Sequence, residues 1–323
     1  MKTYLDKNVY EAALERIAYC FQEFDNVLVA FSGGKDSGVM LNLCYDYANE
    51  HGLLDKLTMY HLDYEAQYQM TTEYVTRTFL EQFPGIRKMW YCVPIKAQSA
   101  CALGEPYWTP WDAAKKKLWV RAMPENPYVV HEGNLDVPFR HGMVDYEFQD
   151  KLSRHFAKKR GTTAVMVGLR ADESLNRYAA VARGKKRRSY EGRKWITQTS
   201  AVTANVYPLY DWRVSDIWTA TARFGFDYNR LYDLLYQAGL TAGQMRVASP
   251  FNDCAQESLK LYKVIDPSNW ARMIGRVNGV NFTGLYGGTT AMGWKTIKLP
   301  PGHTWKSYYE FLLSTMDART AAH

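Results

Sequence analysis

The sequence is poor in cysteine, and none of its five, at 20, 44, 92, 101 and 254, stands in a Cys-x-x-Cys pair. An odd, scattered set excludes a disulfide framework and a zinc ribbon, and the paired cysteines of an iron–sulfur site are lacking too. No apolar run approaches the ~20 residues of a membrane helix. The opening Met1-Lys-Thr-Tyr-Leu-Asp-Lys7 has no apolar stretch of the secretory kind. A reducing cytoplasm is therefore the expected compartment. No internal repeat or low-complexity tract is visible in the 323 residues. Two familiar phosphate loops are missing as well. The dinucleotide fingerprint Gly-x-Gly-x-x-Gly fails on spacing, because the glycines of the one candidate loop stand at 33, 34 and 38. A Walker A loop needs glycine where Val29 stands, and Ser or Thr where Asp36 follows Lys35.

What is present in that stretch is Val27-Leu-Val-Ala-Phe-Ser32-Gly33-Gly34-Lys35-Asp36-Ser37. The apolar run predicts a buried parallel strand, and Gly38 to Cys44 the buried start of a helix. A strand, a glycine turn and a helix N-terminus together present free backbone N–H groups to an anion. Gly33 and Gly34 let the backbone approach phosphate oxygens, and Lys35 adds a point charge. Ser32 and Ser37 supply hydroxyls, and Asp36 suits a helix cap or a metal.

The rest of the chain reads as a doubly wound, mostly parallel α/β sheet over residues 1–240, with a helical module over 241–323. A second strand, Leu57–Leu62, places Asp63 and Glu65 at its carboxyl end, where such sheets bind ligands. A third spans 89–93. Residues 95–147, rich in Pro, Trp and Tyr, break the rhythm and are read as an inserted lid. The strand at 163–168 leads into Gly168-Leu-Arg170-Ala-Asp172-Glu173-Ser174-Leu-Asn-Arg177. Two arginines and two carboxylates at a strand exit suit a polyphosphate and Mg²⁺. They also suit a helix start, with acids at its positive end.

The net charge of +7 is local in origin: residues 151–200 hold 14 Lys/Arg against 3 Asp/Glu. Arg183-Gly-Lys185-Lys186-Arg187-Arg188 is the densest part. Such a run fits phosphate or an anionic substrate, nucleic acid, or a solvated loop. In the C-terminal module Arg246 and Lys306 are further candidates for substrate contact. Helices are expected near 254–264 and 267–277, and a last one from 304 to 313.

Ser32–Ser37, Arg170–Ser174 with Arg177, and Tyr207-Pro-Leu-Tyr-Asp-Trp212 with Asp216-Ile-Trp218 occur in an order that resembles one family. It is the phosphoadenosine-phosphosulfate (PAPS) reductase and ATP-sulfurylase branch of the PP-loop ATP-pyrophosphatase superfamily. Arg121–Tyr128, Tyr228–Asp233, Gln244–Phe251 and Pro300–Trp305 further resemble its IbrA-type subgroup. The resemblance implies an adenine-nucleotide enzyme that cleaves ATP between the α and β phosphates and adenylates an acceptor. It implies ATP or PAPS and Mg²⁺ as ligands, without zinc or an iron–sulfur cluster. Ser32, Gly33, Gly34, Lys35, Asp36, Ser37, Asp63, Gly168 and Arg170 would bind nucleotide, with Lys35, Arg170 and Arg177 catalytic. Asp36, Asp172 and Asp63 would hold metal, and Glu173, Lys185, Lys186, Arg187, Arg188 and Arg246 would meet phosphate or substrate. A sulfonucleotide transferase and a nucleotide-sensing, DNA-associated regulator are the alternatives. The subgroup implies a ParB/sulfiredoxin-like partner encoded on mobile elements. The family's reductases use a C-terminal Glu-Cys-Gly-x-His cysteine, which this chain lacks; Cys254 stands in Asn-Asp-Cys-Ala-Gln.

Overall fold

The computed structural model describes residues 6–102, 104–182, 189–292 and 299–317. Helix α1 (Val9–Glu23) opens on Asn8, whose side chain accepts the Glu11 N–H while Glu11 reaches back to the Asn8 N–H. That reciprocal cap satisfies two otherwise orphaned donors. Then follow β1 (Asn26–Ala30), α2 (Lys35–Glu50), β2 (Leu57–Leu62), α3 (Gln69–Glu81) and β3 (Arg87–Cys92). After a short ribbon, β4 (Ala97–Gln98) and β5 (Tyr107–Trp108), come β6 (Val129–His131), α4 (Asp145–Arg160) and β7 (Thr163–Met166). The chain continues through α5 (Leu175–Ala182), β8 (Ser189–Tyr190), β9 (Arg193–Gln198), β10 (Thr203–Val206), α6 (Val214–Phe224) and α7 (Leu231–Gln237). The C-terminal region carries α8 (Tyr262–Ile265), α9 (Pro267–Arg276), α10 (Val280–Tyr286) and α11 (Trp305–Ser314).

The main sheet has eight strands in the order β6-β3-β2-β1-β7-β10-β9-β8. From β6 to β10 every pairing is parallel; β9 and β8 turn antiparallel. In β1, Val27 pairs with Leu57 on one side and Ala164 on the other. The sheet is covered on both faces, which is why β1, β2 and β7 are buried along nearly their whole length. Val27 and Val29 face a core shared with α1, α2, α3 and α6, whereas Leu28 faces Phe148, Leu152 and Phe156 of α4.

From β1 the chain builds outward through β2, β3 and β6, then crosses back to β7 on the other side of β1. This reversal opens a crevice at the carboxyl ends of β1 and β7, the usual ligand position in doubly wound sheets.

Two expectations are corrected here. Residues 95–147 are more than a lid: they contribute β6, a parallel edge strand of the main sheet. Two of their aromatics, Trp108 and Trp111, are buried in the core. Trp108 and Val120 share one apolar cluster with Leu231 of α7 and with Met245, Phe251, Tyr262, Met273 and Val280 of the C-terminal part. The helix expected near 254–264 is instead two short 3₁₀ turns, at 253–255 and 259–261, followed by the single turn of α8.

Candidate functional site

The site is built on the corner between β1 and α2. Beyond Ala30 the chain turns through Ser32, Gly33 and Gly34, with Gly33 in the left-handed region at φ 75°. A Cβ at Gly33 would stand 2.9 Å from the Val75 Cγ2 methyl, so both the backbone angle and the space call for glycine. The Ser37 hydroxyl accepts the Ser32 N–H at 3.1 Å and donates to the Gly34 carbonyl at 3.0 Å. The two serine hydroxyls are 3.0 Å apart. They hold the turn in shape with α2 pointing its N-terminus into the crevice, and a helix start of this kind favours an anion.

The turn is braced from behind by two residues that sequence reasoning did not assign to the site. Asn229, buried, donates to the Gly33 carbonyl at 3.2 Å and to Thr71 Oγ1 at 2.9 Å. The Tyr232 hydroxyl accepts the Lys35 N–H at 3.1 Å, and its ring lies 5.4 Å from Lys35 Nζ. Both come from the 228–233 segment, whose only sequence signal was its resemblance to a subgroup. The same bracing reaches the C-terminal region, since Val247 Cγ2 is 3.6 Å from where a Gly34 Cβ would be.

The opposite wall is the exit of β7. Gly168 packs so closely that a Cβ on it would lie 3.0 Å from Asp36 C and 3.0 Å from Ser37 N. Next to it stands Arg170, buried, with Nε donating to Asp36 Oδ1 and Nη1 to Asp172 Oδ1. Its Nη2 donates to Glu173 Oε1 at 3.2 Å. Lys35 Nζ is 3.0 Å from the other Asp36 oxygen. Arg177 Nε lies 2.7 Å from Glu173 Oε2 as a charge contact rather than a directed hydrogen bond. Lys35, Asp36, Arg170, Asp172, Glu173 and Arg177 therefore form one continuous charged cluster. Burial pushes the Asp36 carboxyl up, but Lys35 and Arg170 outweigh it and hold it below the usual carboxylate range. Burial works against the charge of Arg170, yet Asp36, Glu173 and Asp172 raise its affinity for the proton.

Other expected residues lie elsewhere. Asp63 is fully buried, and its oxygens take Trp90 Nε1 at 2.7 Å, the Glu65 N–H at 2.8 Å and Arg121 Nη2. That carboxylate is already saturated and faces Arg121, not the β1–α2 loop, so its expected role with nucleotide and metal is withdrawn. Glu65 is also buried, held by Arg276. Lys185, Lys186, Arg187 and Arg188 lie outside the described residues. Arg246 is partly buried and close enough to Tyr232 for its charge to lower that phenol's proton affinity, although burial leaves Tyr232 raised overall. Lys306 is exposed and lies 3.9 Å from Glu310. Among the described residues no three His, Cys, Asp or Glu side chains converge as a metal-binding group.

A doubly wound sheet with a Ser-Gly-Gly-Lys-Asp-Ser corner at its switch point and an arginine-rich exit on the neighbouring strand defines a PP-loop α/β protein. The chain belongs to the phosphoadenosine phosphosulfate reductase domain family, whose profile matches residues 26–238. Residues 239–323 match a domain of unknown function, DUF3440. The uncharacterized protein YbdN of Escherichia coli K12 is 35% identical over 324 residues, covering 99% of this chain and 78% of that protein. Among solved structures, a PAPS reductase from Candida auris in a phosphate complex aligns at TM-score 0.38 and 13% identity, over 72% of this chain and 93% of that one. FMN adenylyltransferase of Candida glabrata with FAD and pyrophosphate aligns at TM-score 0.40 and 14% identity, over 71% and 64%. Scores of this size say nothing about the chemistry of the crevice.

Proposed function

We propose that the protein binds ATP across the carboxyl ends of β1 and β7 and transfers its adenylyl group to an acceptor, releasing pyrophosphate. The observation that carries this reading is the Lys35–Asp36–Arg170 cluster at the N-terminus of α2. Two cations there are neutralised by carboxylates that a polyphosphate would replace. The backbone of Gly33 and Gly34 would lie along the phosphates, with Lys35, Arg170 and Arg177 countering the charge that grows on the leaving pyrophosphate. An acceptor oxyanion attacks the α phosphorus; the bond from that phosphorus to the bridging α–β oxygen breaks, and the electron pair leaves with pyrophosphate. The chain needs no nucleophile of its own, since position and electrostatics supply the catalysis.

Mg²⁺ is commonly held by one or two carboxylates together with substrate phosphates. Asp172, 42% exposed with one oxygen on Arg170, fits that mode, and Asp36 would fit it once a polyphosphate had taken over its Lys35 and Arg170 partners; Asp63, sealed against Arg121, does not. When bound, the ion would neutralise phosphate charge.

Family membership supports a second reading, in which the ligand is PAPS and the loop holds its phosphate and sulfate groups. Pyrophosphate release separates the two. Wild-type protein with ATP and Mg²⁺ is expected to release pyrophosphate when offered a panel of oxyanion and hydroxyl acceptors, and Lys35→Ala to abolish it. Absence of pyrophosphate from the wild type across the panel rejects the adenylyl-transfer reading. Binding of PAPS without ATP turnover then selects the second.

A further inference from the structure

A cavity of about 870 Å³ lies away from the crevice, at the β6 edge of the sheet between the 113–134 segment and α9. Its lining is basic: Lys116, Lys117, Arg121 and Arg272 stand against one acid, Glu125. Among the described residues no carboxylate pairs with Lys116, Lys117 or Arg272. Arg121 spends its Nη2 on Asp63, while its buried Nε finds no partner. The wall beneath the cations is apolar, with Met123, Pro124 and the indole of Trp119. That indole is fixed edge-on against Trp111 at 5.1 Å and by its N–H on the Asp112 carbonyl, and Lys116 Nζ sits 5.7 Å above its ring.

We propose that this cavity is a second binding site, for a nucleotide unit: a base against Trp119 and Met123, and its phosphate among Lys116, Lys117 and Arg272. A bare inorganic anion would leave the indole wall in water, and an uncharged ring would leave the cations unpaired. A ring joined to phosphate meets both. A base replacing the Lys116 ammonium over the indole frees that lysine for phosphate. The same chemistry comes from a free nucleotide or from a single strand of nucleic acid, whose bases stack on aromatic side chains along a basic groove.

The test uses the full chain and two probes, UMP by calorimetry and a fluorescein-labelled oligouridine by anisotropy, at about 50 mM and about 200 mM salt. The variant K116E/K117E/R272E changes only exposed side chains and is expected to melt as the wild type does. Wild-type protein should bind at least one probe, and the triple variant should bind it more weakly by roughly tenfold or more, with a shallower salt dependence. Lys35→Ala should leave this binding unchanged, because Lys35 belongs to the crevice and not to the cavity. UMP binding lost in the triple variant assigns the site to free nucleotides; oligouridine binding alone assigns it to single strands. Every probe that binds the wild type binding the triple variant equally well, or neither binding the wild type at the lower salt, overturns the proposal.

Discussion

Glu65 and Arg276, 211 positions apart in the chain, meet as a buried two-bond ion pair, Nε to Oε1 at 2.8 Å and Nη2 to Oε2 at 3.0 Å. Glu65 holds left-handed backbone angles at φ 62° and also accepts the N–H groups of Trp111 and Val120, at 2.7 and 3.0 Å. Arg276 donates in addition to the Thr109 carbonyl at 2.6 Å. One carboxylate at the end of β2 thus ties the insert to α9. Removing one partner leaves the other charge buried and alone, which typically costs about 3–5 kcal/mol. Glu65→Gln and Arg276→Met should each lower the melting temperature sharply. The double variant should lose less than the sum, because the second change removes the stranded charge. Equal, additive losses in thermal melts would show that the two side chains act separately.

That pair also marks the limit of what the sequence disclosed. The β1–α2 corner was readable because its signals are local: an apolar run, two glycines and a lysine within eleven residues. Arg170, Asp172 and Glu173 were readable for the same reason, at the exit of the next buried strand. Asp63 and Glu65 looked like ligand-facing acids because strand ends usually are. Only the fold shows Arg121 and Arg276 arriving to neutralise them. Asn229 and Tyr232 escaped because their hydrogen bonds to the loop span 196 and 197 residues. Strand β6 escaped because three residues, Val129–His131, in a proline-rich stretch carry no period.

Gly168 is expected to tolerate no side chain. The three atoms nearest the added methyl would all be backbone, Asp36 C and Ser37 N at 3.0 Å and Asp36 O at 3.1 Å, so the β7 exit and the first turn of α2 would have to separate. Overpacking of this kind costs about 1–3 kcal/mol. Gly168→Ala should lower the melting temperature and remove the stabilisation expected from ATP under the proposed reading. Gly275, inside α9 with open space at its Cβ, is the control. Gly275→Ala should leave ATP stabilisation intact and raise stability by roughly 0.5–1 kcal/mol. Comparable ATP-induced shifts in both variants would contradict the close packing at Gly168.

Asp63 should give stability a dependence on acid pH. Burial pushes its carboxyl up, but Arg121 and His61 reverse this and hold it below the ordinary range. A depressed folded-state value means that the unfolded chain takes up the proton first. The stabilisation is therefore full above about pH 4, the ordinary aspartate value, and is lost as pH falls through the lower folded value. Asp63→Asn should melt lower than wild type at neutral pH, with the gap between the two narrowing below about pH 4. A gap that stays constant into the acid range would remove Asp63 from the account.

Cys254 tests whether sulfur chemistry belongs to this crevice. It is exposed, in the 3₁₀ turn Asp253–Ala255, and close enough to Arg246 and Arg177 to feel their charge. A thiol there invites a nucleophilic role. Nevertheless its partial burial and the neighbouring Asp253 push its pKa up, and the two arginines do not reverse the shift. Reactive thiols are the ones whose pKa is lowered, because the thiolate is the attacking form. Adenylyl transfer places the attacking atom on the acceptor, so Cys254→Ser should release pyrophosphate within about twofold of the wild-type rate, a change of only ~0.4 kcal/mol in the barrier. Loss of a covalent nucleophile would instead cost several powers of ten. A fall of that size in Cys254→Ser, with the melting temperature unchanged, would put the bond-making step on the thiol and displace the proposed acceptor attack.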